Sequence, residues 1–265
     1  MARYRIQNPG DSASESRSPL VMDAPWNVAN VFRVATYNVR RCMGLDGERN
    51  PWRTARVIRQ LDAVAVGLQE VESAAPVGRA LLDEMAELSG MDAVAGPILL
   101  DEHFGYGNAL LTRLPVREVY RRDLTLVGRE PRGLLDVVLE GPLGSLRMLV
   151  THLGLRGKER RTQVGRLTEL LAGPPVADTT VLLGDLNTWW TWGPVVQTLR
   201  RELGNAPTVP SFPSSLPLLP LDHVFTRPGR RLHRVWRHES RLARRASDHL
   251  PVVAALTPPV DATRS

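Results

Sequence analysis

From Phe32 to Leu256 the chain repeats one pattern, a short apolar and often β-branched run that stops abruptly at a polar side chain. The runs are FRVATYNV, AVAVGLQEV, NALLTRLPV, LLDVVLE, LRMLVTHL, TTVLLGDLN, LDHVFTR and HLPVVAAL. Stretches this short and this apolar, bounded by turn residues, read as strands. Four intervening segments carry helical apolar spacing: PWRTARVIRQL with Pro51 in its first turn, GRALLDEMAELSG closed by Gly90, KERRTQVGRLTELLAG closed by Gly173, and WGPVVQTLRRELG ending at Gly204. Strands adjacent in sequence mix with strands separated by helices, without strict alternation. That order predicts an α+β sandwich of two mixed sheets packed face to face with helices outside, rather than a doubly wound parallel sheet. The segment NAPTVPSFPSSLPLLPL is too rich in proline for the interior of an element and is expected to be an extended surface loop.

At 265 residues and 43% hydrophobic content, the chain can bury one large core. Residues 1–30 are rich in Ser, Asp, Arg and Pro without apolar periodicity, so they read as a disordered arm. One domain is expected over residues 31–258, with a flexible tail at 259–265. The net charge is +6, and of 34 basic residues only Lys158 is a lysine. The planar arginine fork donates two parallel hydrogen bonds to phosphate, so this balance permits a polyanionic partner such as nucleic acid or a phosphorylated lipid surface. Cys42 is the sole cysteine, which excludes an internal disulfide and a cysteine-rich zinc site, and fits a reducing, cytoplasmic setting. No apolar stretch has the length of a signal peptide core or a membrane span, and no feature implies a protein partner.

The polar residues that end the runs are chemically alike. Asn38 ends VATYN, Glu70 ends VGLQE, His152 ends LVTH, Asp185 and Asn187 end LLGDLN, Asp222 opens LDHVF, and Asp248 with His249 precedes LPVVAAL. Taken singly, each reads as a turn former or a hydrogen-bonded structural residue. Strand ends at one edge of a sandwich converge, however, and would gather these carboxylates, amides and imidazoles in one place. Period-two alternation sends Asp185 and Asn187 from one face and Leu186 from the other, and Gly184 admits a close approach of backbone or ligand. An oxygen-rich set of this kind suits a hard cation, Mg²⁺ with Mn²⁺ as a substitute, and the hydrolysis of a phosphate ester. Zinc is disfavoured, because no Cys cluster or closely spaced His pair is present.

TYNVR, LQEVE, YGNALLTRLPV, THLGL, GDLN, LDHVF and ASDHLPVVA, in that order, resemble the endonuclease/exonuclease/phosphatase superfamily over residues 32–256. The resemblance implies a four-layer αββα sandwich of the DNase I-like type, with a Mg²⁺-dependent site at one edge of the sheets. By motif it implies Glu70 as the principal metal ligand, Asn38 beside it and Asp248 near the metal. It implies Asp185 as the group that orients or deprotonates water, and Asn187 as a phosphoryl contact. His249 would meet the scissile phosphate, polarised by Asp222, with His152 as a second phosphate contact.

The branches of the superfamily differ in their local motifs. Where abasic-site endonucleases carry a Trp-Arg-x-Asp-Tyr stretch this chain has LPLLPLDHV, and the Pro-x-Trp-Cys-Asp-Arg stretch of inositol 5-phosphatases is absent. What remains resembles compact bacterial members. In REPRG, Arg129 and Arg132 are placed to grip a phosphate with Glu130 fixing one of them, or else to flank a solvated turn. Asn108 stands where it could reach the phosphate, and Tyr106 reads equally as a substrate contact or as packing. Trp189, Trp190 and Trp192 could form a stacking platform, although packing of at least two of them against the following helix is the preferred reading. The expected activity is a Mg²⁺-dependent phosphodiesterase acting on nucleic acid. The alternative substrate is a phospholipid, a phosphoinositide or a small phosphorylated metabolite.

Overall fold

The computed structural model describes residues 31–74, 80–100, 105–141 and 144–257. The expected N-terminal arm and C-terminal tail lie outside the described residues. One sheet has the order β10 (Leu232–Arg237), β11 (Val252–Leu256), β1 (Phe32–Asn38), β2 (Ala65–Ala74), β4 (Gly105–Thr112), β3 (Asp92–Leu100). The other has the order β5 (Val116–Asp123), β6 (Gly133–Gly141), β7 (Gly144–His152), β8 (Thr179–Asp185), β9 (Asp222–Arg227). Both sheets are mixed: β1 runs parallel to β2 and β7 parallel to β8, while the other neighbours are antiparallel.

The expected layering is present. Helices α1 (Pro51–Leu61), α2 (Leu81–Ser89) and α5 (Arg241–Ala246) cover the first sheet, where Val57, Ile58, Met85 and Ala243 pack with Ala35, Tyr37, Leu68 and Val253. Helices α3 (Gly157–Leu171) and α4 (Pro194–Leu203) cover the second, where Leu167 and Leu199 pack with Leu149, Leu182 and Phe225. Between the sheets Val34, Leu110 and Val252 meet Val137, Met148, Val181 and Val224. Val34 thus faces the opposite sheet while Ala35 faces the helices, as a period of two requires, and with both faces covered the apolar runs need no polar alternation. Each such fully buried Val or Leu contributes roughly 1.5–3 kcal/mol.

Three strands lie outside the eight expected from the sequence, and all three are sheet edges: β3, β5 and β10. An edge strand needs only one paired side and is commonly blunted by charge or proline. Accordingly β5 reads VREVYRRD and β10 reads LHRVWR, without an apolar run, while β3, DAVAGPILL, is apolar but cut by Gly96 and Pro97, a pair that reads as a turn. The stretch NALLTRLPV is in fact the end of β4 and the start of β5, separated at residues 113–115. The short helix α5 also went unread. Helix α3 ends at Leu171 with Ala172 as a right-handed cap, so Gly173 does not close it.

The topology places the polar strand ends together. His152 and Asp185 are register partners at the same end of parallel β7 and β8, and Asp222 opens β9 opposite Asp185. Asn38 ends β1 beside Gln69 of β2.

Candidate active site

Strand β2 is interrupted where the site begins. Its register against β4 shifts between Leu68 and Val71, and Glu70 takes φ 58°, a left-handed conformation that is uncommon for glutamate. The bulge takes Glu70 out of the regular ladder, and its Oε1 accepts a hydrogen bond from Asn38 Nδ2 at 2.9 Å. The same Asn38 nitrogen donates to Asp185 Oδ2 at 3.1 Å, joining the two sheets through one amide. The Arg40 backbone N–H donates to Asn38 Oδ1 at 3.1 Å, which fixes the amide with its nitrogen toward the carboxylates. Arg40 and Arg41 hold this tight turn with φ of 46° and 52°.

Asp185 closes β8 at 2% exposure. The preceding Gly184 has φ 150°, and a Cβ there would lie 1.9 Å from the Thr151 carbonyl oxygen, so it is neighbouring backbone that approaches. Leu186 turns into the outer core beneath α3 and α4. Asn187 adopts φ 49°, and its backbone N–H donates to Asp185 Oδ1 at 2.9 Å. Its side-chain Nδ2 donates to the Leu153 carbonyl at 2.9 Å and faces His152 Nε2 at 3.0 Å. The second amide proton needs a lone pair on His152 Nε2, so that imidazole is neutral with its proton on Nδ1. Asp185 and Asn187 thus share a site through a left-handed turn rather than through strand alternation alone.

His249 Nδ1 lies 2.8 Å from Asp222 Oδ2, and its Nε2 lies 3.7 Å from Asp185 Oδ2, while His152 Nε2 is 3.5 Å from that same oxygen. The Ser211 hydroxyl donates to Asp222 Oδ2 at 2.6 Å, and the Phe212 ring packs on His249 with centroids 4.9 Å apart. Both residues come from the proline-rich segment expected to be a surface loop. It is irregular, but Ser211 and Ser214 are fully buried, so the loop dips into the site and braces it. Ser247 was also missed: its hydroxyl donates to the Asn38 carbonyl at 2.7 Å, tying the SDH segment to the end of β1. Asp248 is half-buried, with its Oδ1 3.3 Å from that hydroxyl oxygen and its Oδ2 3.4 Å from Arg40 Nε. Only the position of Ser247 inside ASDH was a signal in the sequence; Ser211 and Phe212 offered none.

Burial lowers the pKa of His152, against the pull of Asp185. Burial also disfavours a charged His249, but the carboxylates of Asp222 and Asp185 outweigh it and hold that imidazole up to about 10. For Asp185 burial works upward, yet the carboxyl is held below the ordinary carboxylate range by the imidazoles and the N–H donors of Asn187 and Asn38. A neutral His152 carries no positive charge, so His249 and the donors carry that effect.

The expected substrate contacts each have a protein partner. Arg132 is buried and forms a two-pronged pair with Glu130 at 3.2 and 3.0 Å, so Glu130 does fix one arginine of REPRG. Asn108 donates its amide to the Gly133 carbonyl at 2.9 Å, across to the other sheet, and its buried Oδ1 has no hydrogen-bond partner among the described residues. Tyr106 is buried under the Arg41 guanidinium, 4.7 Å above its ring; burial first, then the charge of Glu70, raises its hydroxyl to about 12. Trp189, Trp190 and Trp192 remain 62, 58 and 77% exposed, yet Trp190 lies on the Gly193 turn that begins α4 and Trp192 under Arg200 of that helix, so two of the three keep the expected contact with the following helix while leaving a face to solvent.

The donor chemistry fits a divalent cation. Asp185, Asp222 and His249 each present a ligand atom within 4.8 Å of the others, and Asp222 Oδ1 is buried without a hydrogen-bond partner among the described residues. A charged His249 has no lone pair to give, so at neutral pH the capacity to hold a cation rests with the carboxylates, including Glu70. Cys42, the one thiol, is buried in the core on the helix side of the first sheet.

Comparison with known proteins agrees with this architecture. The chain is 26% identical over 249 residues to the uncharacterized protein YbhP of Escherichia coli (strain K12), covering 85% of this chain and 96% of that one. Among solved structures it resembles an endonuclease/exonuclease/phosphatase from Beutenbergia cavernae, with a TM-score of 0.65, 24% identity and coverage of 86% of this chain and 72% of that one. It also resembles a functionally unknown protein from Enterococcus faecalis, with a TM-score of 0.69, 17% identity and coverage of 86 and 100%. The human nocturnin catalytic domain with a bound sulfate anion has a TM-score of 0.61, 16% identity and coverage of 87 and 95%. The family model for the Endonuclease/Exonuclease/phosphatase family matches residues 35–249, and with the edge site it shows that this chain belongs to that family of metal-dependent phosphoesterases.

Proposed function

We propose that this protein is a Mg²⁺-dependent phosphodiesterase that hydrolyses nucleic acid by in-line attack of water. The observation that carries the reading is Asp185, an ionised carboxylate at the seam of the two sheets, bonded to Asn38 and flanked by two imidazoles in different protonation states. Glu70, with Asn38 orienting it and Asp248 nearby, would hold the cation. When bound, the cation neutralises charge on the phosphoryl oxygens and so lowers the barrier to attack. Asp185 orients the attacking water and takes its proton. His249, kept cationic by Asp222, donates to a phosphoryl oxygen as negative charge accumulates there. Asn187 binds the phosphoryl group by exchanging its present acceptor, His152 Nε2, and the neutral His152, freed of that bond, carries its proton on Nε2 and donates it as the second phosphate contact. Arg132 and Tyr106 flank the substrate, and Asn108 reaches it from β4. Arginines Arg40 and Arg41 at the mouth, with the net charge of +6, support a polyanionic substrate. Buried Cys42 supports a reducing, cytoplasmic setting.

A lipid or metabolite phosphate is the second reading, favoured by exposed Leu155, Leu216 and Leu218 on the loops beside the site. No helix among the described residues is long and apolar enough to cross a membrane. The deciding experiment assays plasmid, single-stranded DNA, RNA, abasic duplex, phosphoinositides and sphingomyelin, each with and without EDTA, against Asp185→Asn. Nucleic-acid turnover that falls with added salt supports the first reading; turnover of lipid alone supports the second. Activity that survives EDTA or Asp185→Asn undiminished overturns the mechanism.

A further inference from the structure

We infer that the groove between the first turn of α3 and the Thr188–Val195 loop is a subsite for one base of a single-stranded nucleic acid and its adjoining phosphate. This rests on the nuclease reading above and adds to it a place where the strand is held beyond the scissile bond.

The groove encloses 260 Å³ and is lined by Arg160 and Arg161 on one side and by Trp189, Trp190 and Pro194 on the other, with Thr188 at its inner end. Thr188 directly follows Asn187, so the groove begins one residue along the chain from the catalytic cluster. His223, buried in β9, fixes this junction: its Nε2 lies 3.2 Å from the Thr188 carbonyl. The volume is below the roughly 300–1,000 Å³ that drug-sized ligands fill, and suits a single flat ring system better than a pair of acyl chains.

Two of the three rings, Trp190 and Trp192, are held rather than free. Trp190 lies against the turn that begins α4: a Cβ on Gly193 would come 2.8 Å from its ring, and Gly193 N–H donates to the Trp190 carbonyl at 2.9 Å. Trp192, next along, sits under the Arg200 guanidinium at 5.9 Å. An aromatic surface that is ordered before binding loses little freedom on stacking, and it accepts any base because every base has a π face. Rings meant to enter a bilayer would project from their loop instead of lying against it.

The cationic wall is equally specific. Arg160 is anchored, its Nη1 donating to the Leu155 and Gly154 carbonyls at 2.7 and 3.2 Å. Arg161 is exposed and forms no hydrogen bond or ion pair among the described residues, so its fork is available to a phosphate. Stacking rings opposite free phosphate donors match a nucleotide unit and neither half alone.

The test measures binding of a fluorescent twelve-residue oligothymidylate and of an equal-length abasic oligomer to the full chain carrying Asp185→Asn. The base-bearing strand should bind about tenfold more tightly, and adding Trp189→Ala with Trp190→Ala should abolish that preference. Arg161→Ala should weaken both oligomers alike and flatten the salt dependence. In the otherwise wild-type chain the double tryptophan change should raise KM for single-stranded DNA about tenfold and fall mainly on KM. Trp52→Ala, an exposed tryptophan on α1 in the opposite layer, should change none of these. If DNA and RNA are not hydrolysed at all, the nuclease reading fails. If they are hydrolysed but base preference and KM survive the double change, or if that change abolishes binding to anionic phospholipid vesicles instead, the subsite is overturned.

Discussion

The imidazole of His249 and the carboxylate of Asp222 meet at 2.8 Å, Nδ1 to Oδ2, inside a site where both side chains are almost wholly buried. Burial alone would discharge the imidazole. The pair instead keeps it cationic to about pH 10, with its Nε2 toward Asp185. Asp222→Asn should therefore lower activity at neutral pH by about a hundredfold or more, within the range for loss of a positioned proton-transfer group.

The same pair has a signature in stability. The folded pKa of His249 is raised above the ordinary value of about 6.5, so its contribution is fully present below that pH and is lost as pH rises through about 10. The difference in Tm between the wild type and Asp222→Asn should be largest near pH 6 and shrink toward pH 10.5. A difference that stays constant over that range would contradict the assignment.

Asn38 touches no reacting atom in this arrangement, but its one amide nitrogen holds both Glu70 and Asp185. Asn38→Ala should weaken activation by Mg²⁺ by about 10- to 100-fold, the usual cost of losing a group that orients metal ligands. Titration of activity against Mg²⁺ measures it, and an unaltered half-saturation point would show that Asn38 positions nothing.

Glu70 allows a test that does not depend on turnover. If it holds the cation, Mg²⁺ at a hundred times its Kd should stabilise the wild type by about 2.7 kcal/mol, and Glu70→Gln should lose most of that increment. Thermal melts with Mg²⁺ and with EDTA report it directly.

Gly184→Ala should be costly for a steric reason. The added methyl would lie 1.9 Å from the Thr151 carbonyl oxygen, which is backbone held in the sheet and has nowhere to go. A loss of about 1–3 kcal/mol is expected from denaturant unfolding, accompanied by lower activity because His152 and Asp185 share that register.

What this sequence determined alone was the set of interior strands and the chemistry at their ends. Uninterrupted apolar runs such as VAVGL and TVLLG are legible because a strand covered on both faces must be apolar at every position, whatever its neighbours. Polar terminators such as Glu70 and Asp185 are legible because they break those runs. Tertiary structure decided the rest. The edge strands β5 and β10 carry charge where their free side meets solvent, and β3 is broken by Gly96 and Pro97, so all three look like loops or turns until a neighbour pairs with them. Ser211 and Phe212 became part of the site only when a proline-rich segment folded back over His249. The bulge that presents Glu70 depends on a register with β4 that no local pattern encodes. The tryptophans after Asn187 could be read either way from sequence, because aromatic residues suit a core and a binding surface alike. Only their placement on the Gly193 turn, beside the arginines of α3, left their faces to solvent.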